Sequence, residues 1–304
     1  MEGLSMKINR IFYLIFAAMI IVTGCQSGGN TDNKKETKQE TTDKKEYKRI
    51  VSLIPSNTEI LYALGLGDKV VGVSTVDDYP KDVKDKKQFD AFKLDTEALL
   101  KAKPDLILAH ESNKSTQEKD LKKLSHAGVK VVYIDDANSI NEMYDTFKQV
   151  GKVTGKEKEA DKLVSKVKKE IEDVIKDVPK DQQGKKVFME ISSQPDIYTS
   201  GSNTFYDDML TSIKAKNLYH DQEGWIKMDK ESILKRNPDV MITTSGQSEA
   251  EYQKLNNNRD GFDQVNAVKE KHVHALNADM ISRPGPRLAK GLKELSEKVY
   301  DKKS

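Results

Sequence analysis

From Arg49 onward the chain alternates short aliphatic runs with segments whose apolar positions recur at helical spacing. "RIVSLI" reads as a buried strand. "SNTEILYALGLGDKV" reads as a helix opened by a Ser or Asn cap, with Glu59 in its first turn and Gly65 or Gly67 as its stop. "VVGVS" is a second strand, "TEALLKA" a short helix and "DLILAH" a third strand. A helix from about Thr116 to His126 and the strand "KVVYID" follow. Nearly continuous apolar strands separated by helices predict a mainly parallel sheet covered on both faces. This first unit spans 49–151.

A longer helical pattern then breaks the rhythm. Residues 156–178 place Leu163, Val167, Ile171, Val174 and Ile175 on one face, and Pro179 closes the segment. At 1.5 Å per residue it would extend roughly 35 Å, enough for a strut between two units, taken here as 152–180. The alternation resumes over 181–304 with "KKVFMEI", a helix around "TFYDDMLTSI", "KESILKR", "DVMITT", "HVHAL" and a last helix from about Pro286 to Tyr300.

One stretch occurs twice. "TEALLKAKPDLILAH" (96–110) returns as "KESILKRNPDVMITT" (230–244), with Glu97 and Glu231 each seven residues before a Pro-Asp pair. Both glutamates open a short helix, where the helix dipole favours an anion. Each is either a helix cap or an exposed charge.

Composition changes this picture mainly at the N-terminus. With 51 Lys and Arg against 49 Asp and Glu the net charge is +2, and the charges are interspersed, so no basic face for nucleic acid is evident. Lys7 and Arg10 precede an apolar run, Ile11 to Val22, with the length of a signal-peptide core over 1–24. "VTGC" ends at the chain's only cysteine, Cys25, and resembles the lipobox of bacterial lipoproteins, in which that cysteine carries the lipid. The mature chain then has no second thiol for a disulfide. Residues 26–48 contain no aliphatic side chain, so 25–48 is expected to be a lipidated, disordered tether.

"RIVSLIPSNTEILYALGLGDKVVGVS", "DYP", "KPDLILAH" and "RPGPRLAKGLKEL", taken together and in this order, resemble the substrate-binding lipoproteins of bacterial ABC importers for vitamin B12, ferric siderophores and haem, the B12-binding members above all. The similarity runs from Arg49 to Tyr300. It implies an α/β fold of two Rossmann-like lobes joined by a single long rigid α-helix, with the ligand cleft between them. It implies transport and not catalysis, with cobalamin as the cargo, a ferric siderophore or haem as alternatives, and no resident cofactor. It also implies a monomer that meets a permease dimer, with Glu97 and Glu231 docking one on each subunit. The only membrane contact would be the lipid on Cys25, at the extracellular face of a cell membrane, with a Gram-positive host fitting the long tether.

Open α/β sheets bind ligands beyond the carboxyl ends of their strands. The loops there supply Pro55, Ser56 and Asn57, then Tyr79, Phe92 and His110 from the first lobe. The second supplies the lone Trp225 together with Asp279, Met280 and Arg283 from "ADMISRPGPR". Trp225, Asp279 and Arg283 match cleft positions of the family, whereas His110 stands where the B12-binding members carry an aromatic. His110 and Met280 are the two candidates for contact with a metal centre in the cargo. His272 and His274 alternate along a strand without a third ligand, so no metal site of the protein's own is expected. No phosphate-binding glycine motif and no G-x-S-x-G elbow is present, and an enzyme is the remote reading.

Overall fold

The computed structural model describes residues 46–301. The signal peptide expected over 1–24, lipidation at Cys25 and nearly all of the 25–48 tether lie outside these residues.

The first lobe contains β1 (Ile50–Ser52), α1 (Pro55–Ala63), β2 (Val70–Ser74), β3 (Lys87–Phe89), α2 (Thr96–Lys101), β4 (Leu106–His110), α3 (Glu111–His126), β5 (Lys130–Ile134) and α4 (Ile140–Thr154). Helix α5 (Glu157–Lys176) leads to the second lobe. There follow β6 (Lys186–Glu190), β7 (Ile197–Ser200), α6 (Phe205–Ser212), β8 (Lys216–Asn217), β9 (Trp225–Met228) and α7 (Lys230–Arg236). The chain ends with β10 (Val240–Thr243), α8 (Glu249–Asn257), α9 (Asn266–Lys269), β11 (Val273–Ala275), α10 (Ala278–Ile281) and α11 (Leu288–Val299).

The first sheet is parallel throughout, in the order β3-β2-β1-β4-β5. The second, β11-β10-β6-β8, is parallel as well. An antiparallel pair, β7 with β9, is an addition that the apolar pattern does not announce. Its two strands are short, and 24 residues separate Ser200 from the Trp225 that pairs with it.

Strand alternation divides the core. Leu106 and Leu108 point to one face of the first sheet, Ile107 and Ala109 to the other; Val187 and Met189 oppose Phe188 in the second. The first-named sides of both sheets belong to one continuous apolar core, which passes through Ala160, Leu163, Val167 and Ile171 of α5. Val174 and Ile175 pack against that core from its edge. Gly151 lets α4 approach α5 closely, since a Cβ there would fall 2.5 Å from that of Ala160. Helix α5 is therefore packed along its length and is not a free rod. Among the described residues no helix is long and apolar enough to cross a membrane.

Two helix starts depart from expectation, and two more settle an open question. Helix α1 begins at Pro55, capped by Ile54 without a side-chain bond and not by Ser or Asn, because proline at the first turn needs no amide partner. Helix α3 begins at Glu111, five residues before Thr116. His110 and Asn113 close a reciprocal cap that compensates for an entirely polar first turn. Asp95 and Asp229 cap α2 and α7, accepting from the amides of Ala98 and Ser232. Glu97 and Glu231, both exposed, are therefore not the caps.

Candidate functional site

In each sheet the chain leaves neighbouring strands in opposite directions at one point. That point falls between β1 and β4 in the first lobe and between β6 and β10 in the second. Such a switch opens a crevice beyond the strand carboxyl ends. A cavity of about 420 Å³ lies there, reached from both lobes. Ile54, Pro55 and Ser56 follow β1, His110 ends β4, and Asp136 to Asn138 follow β5. From the second lobe come Ile191 after β6, Thr244 after β10, the start of α6 and residues 282–284. The twice-written stretch supplies the α2-β4 and α7-β10 segments that lead to the two switch points.

Trp225 opens β9 opposite Ser200 and is 60% exposed, an unusual place for an indole. Its position depends on Gly201, where a Cβ would meet the Gln222 carbonyl oxygen at 1.9 Å, so only glycine lets the two segments close. The Trp225 ring stands edge-on to buried Tyr206, with centroids 6.0 Å apart and planes at 87°. Tyr206 donates to Thr244 Oγ1 at 3.1 Å and bonds Ser282 Oγ at 2.5 Å, while burial raises its phenol above the usual range. Three loops thus fix one aromatic wall of the cavity.

On the facing side, both ring nitrogens of His110 are engaged. Nε2 lies 2.8 Å from Asp136 Oδ1, and Nδ1 lies 2.8 Å from Ser112 Oγ. Burial holds the imidazole below its ordinary pKa, against the opposing pull of Asp136. A neutral ring that donates from Nε2 to Asp136 and accepts at Nδ1 satisfies both contacts.

Beside the cavity two arginines of the second lobe reach carboxylates of the first. Arg287 donates to buried Glu59 from Nε at 2.8 Å and from Nη2 at 2.6 Å. Arg283 donates from Nη1 to Asp78 Oδ1 at 2.6 Å and to Glu59 Oε1 at 3.4 Å. Its Nη2 lies 2.5 Å from Asp279 Oδ1 and donates to the Val76 carbonyl at 3.4 Å. Burial raises the carboxyl groups of both Asp78 and Asp279. For Asp78 the Arg283 guanidinium outweighs it and holds the group below the ordinary value, whereas Asp279, facing Asp78, stays above.

The residues expected from sequence are distributed unevenly. Pro55, Ser56, His110, Trp225 and Arg283 line the cavity. Asp279 sits behind Arg283. Asn57 is buried and donates to the Ala109 carbonyl, tying the loop after β1 to β4. Tyr79 faces a separate hollow of about 600 Å³ between α5 and the start of α11, where its ring lies 4.1 Å from the Arg287 guanidinium. That hollow is larger but lies away from the strand carboxyl ends. Phe92, 79% exposed, and half-buried Met280 are not among the lining residues. Sequence reading overlooked Phe205, Tyr206, Asp136 and the Glu59–Arg287 pair. Thr204, the cap of α6, was the available signal for the first two.

A family model described as "periplasmic binding protein" matches residues 50–280. A substrate-binding lipoprotein of an ABC transporter from Bacillus subtilis is 42% identical over 309 residues, covering 95% of this chain and 96% of that one. The vitamin B12-binding protein of Yersinia pestis is 26% identical, over 83% of this chain and 86% of its own. The crystal structure of a possible iron-binding, periplasmic solute-binding protein from Staphylococcus epidermidis superposes with a TM-score of 0.80 at 56% identity, covering 84% of this chain and all of that one.

Proposed function

The chain belongs to the periplasmic binding protein family as a substrate-binding protein of an ABC importer, not an enzyme, and on that premise we propose that it captures cobalamin. The observation that carries this reading is the aromatic wall of Trp225 on Tyr206, bordered by the hydroxyls of Thr244 and Ser282, in an interlobe cavity whose arginine, Arg283, is ion-paired. A corrin is broad, flat and fringed with amides. It suits an indole face and hydroxyls such as Ser56, Thr244 and Ser282 better than it suits an array of cations. The B12-binding relative supports the same cargo.

The protein would act outside the cytoplasm, held by lipid on Cys25. It would deliver its cargo to a permease dimer through Glu97 and Glu231, one exposed anion on each lobe. Paired charges of this kind mainly set orientation and encounter rate.

A ferric siderophore is the second reading, favoured by the similar Staphylococcus structure and its description as possibly iron-binding. Haem is less favoured, because His110 would have to give up Asp136 or Ser112 to reach an iron. Absorbance titration of the purified protein with cyanocobalamin, a ferric siderophore and haemin decides among the three. A saturable change with cyanocobalamin supports the corrin. Its absence alongside saturable binding of an iron chelate transfers the assignment to iron uptake.

A further inference from the structure

Arg283 is the lining residue that a ligand anion would be expected to seek, yet both of its Nη atoms are already engaged. The two Nη atoms carry four protons, and four oxygens face them: Asp78, Glu59, Asp279 and the Val76 carbonyl. Glu59 is already matched by Arg287. Arg283 therefore faces two further carboxylates, and among the described residues no other one lining the cavity is an arginine or lysine. At the opposite side Asp136 meets a histidine that burial keeps neutral. With Glu59 and Arg287 satisfying each other beside the separate hollow, three carboxylates, Asp78, Asp279 and Asp136, stand against the single guanidinium of Arg283 at this cavity. Asp78, Asp279 and Asp136 keep side-chain exposures of 49%, 38% and 53%, and Asp136 itself lines the cavity, while Asp78 and Asp279 act on it through Arg283.

We propose that Asp78 and Asp279 determine specificity, by occupying Arg283 and leaving the cleft with an excess of negative charge that admits neutral or cationic ligands and rejects anionic ones. This rests on the reading of the cavity as the ligand cleft, but not on the corrin in particular. A cationic ferric hydroxamate passes the same filter, whereas the propionates of haem and the three negative charges of a ferric tris-catecholate do not. Like charges meeting in a partly desolvated cleft repel far more than in bulk water. A purely mechanical role, Arg283 tying the lobes together, would leave ligand charge without influence.

The test uses Asp78→Asn/Asp279→Asn, which removes the charge and keeps one acceptor oxygen for Arg283 at each position, the other becoming an NH2 donor. Three probes are titrated against the wild type and the variant: cyanocobalamin, ferrioxamine B and a ferric tris-catecholate. The expected result is weak catecholate binding by the wild type and a gain of about tenfold or more in the variant. Neutral-ligand affinity should change less than about threefold. In the wild type, catecholate binding should strengthen as salt screens the repulsion, and in the variant this dependence should flatten or reverse. Catecholate binding by the wild type on a par with the other probes overturns the filter. So does an unchanged ratio of anion to neutral affinity in the folded variant. If the double variant does not fold, Asp279→Asn and the wild-type salt dependence decide the matter. Ferrioxamine B binding without cyanocobalamin overturns the corrin assignment alone, and failure of every probe overturns the cleft reading and the filter with it.

Discussion

Glu59, buried in the first lobe, accepts two hydrogen bonds from Arg287 of the second, across 228 residues of chain. The pair crosses the lobe boundary beside the cleft. Arg287→Met removes both bonds and leaves Glu59 with only the 3.4 Å contact to Arg283. Stranding one partner of a buried pair costs about 3–5 kcal/mol, whereas replacing both with apolar groups is much less costly. Urea unfolding should therefore show a loss of about 3 kcal/mol for Arg287→Met and partial recovery in Glu59→Met/Arg287→Met. A single variant within about 1 kcal/mol of wild type would mean that water already screens the pair.

His110 should titrate below 6.5, its ordinary value, since burial outweighs the attraction of Asp136. Between the folded and unfolded pKa the unfolded chain binds a proton that the folded one does not. The contribution to stability is thus complete above 6.5 and is lost as pH falls through the folded value. Asp136→Asn removes a group favouring the charged ring and should lower the pKa further. Ring resonances followed by NMR report both values, and a midpoint at or above 6.5 in the wild type contradicts the assignment.

Trp225→Ala should separate affinity from stability. The side chain is largely exposed, so unfolding should shift by less than about 1 kcal/mol, while ligand binding should weaken by about 1–3 kcal/mol. Quenching of the single tryptophan by bound ligand is the companion measurement. Unchanged affinity with lost stability would place the indole's role in packing.

Glu97→Ala and Glu231→Ala should leave folding intact, since Asp95 and Asp229 keep the helix caps. Ligand affinity should also survive. Loss of one charge partner at a docking contact costs about 2 kcal/mol or more, and two sites without shared contacts should add. Uptake of labelled ligand by cells is the readout, and normal uptake by the double variant would remove both residues from docking.

Much of the fold was legible because its strands are nearly unbroken aliphatic runs and its helices carry apolar stripes. Leu163, Val167 and Ile171 were readable from spacing alone. The first turn of α3 was not, because "ESNKS" has no apolar residue to set a phase and depends on its cap instead. The β7-β9 pair escaped because a strand of four residues gains meaning only from its partner. Within the site, Trp225 and Arg283 stood out by residue type and by the family's pattern. What occupies Arg283 did not: Glu59 and Asp78 lie more than two hundred residues away and meet it only through the topology. The repeated glutamates were ambiguous because aspartates two residues earlier could do the capping equally well.

The single crossing of the chain through α5 bears on how the molecule is made. Every strand of the first sheet precedes residue 135 and α4 ends at Thr154, so all the pairing partners within that sheet lie in the first half of the chain. Glu59 nevertheless waits for Arg287, near the end of synthesis. Until then the first half holds a carboxylate without the counter-ion that its final surroundings supply. A copy truncated before Arg287 keeps the carboxylate but lacks both its partner and α11, the helix that packs on α5. Completion of the chain is thereby built into the stability of its earliest part.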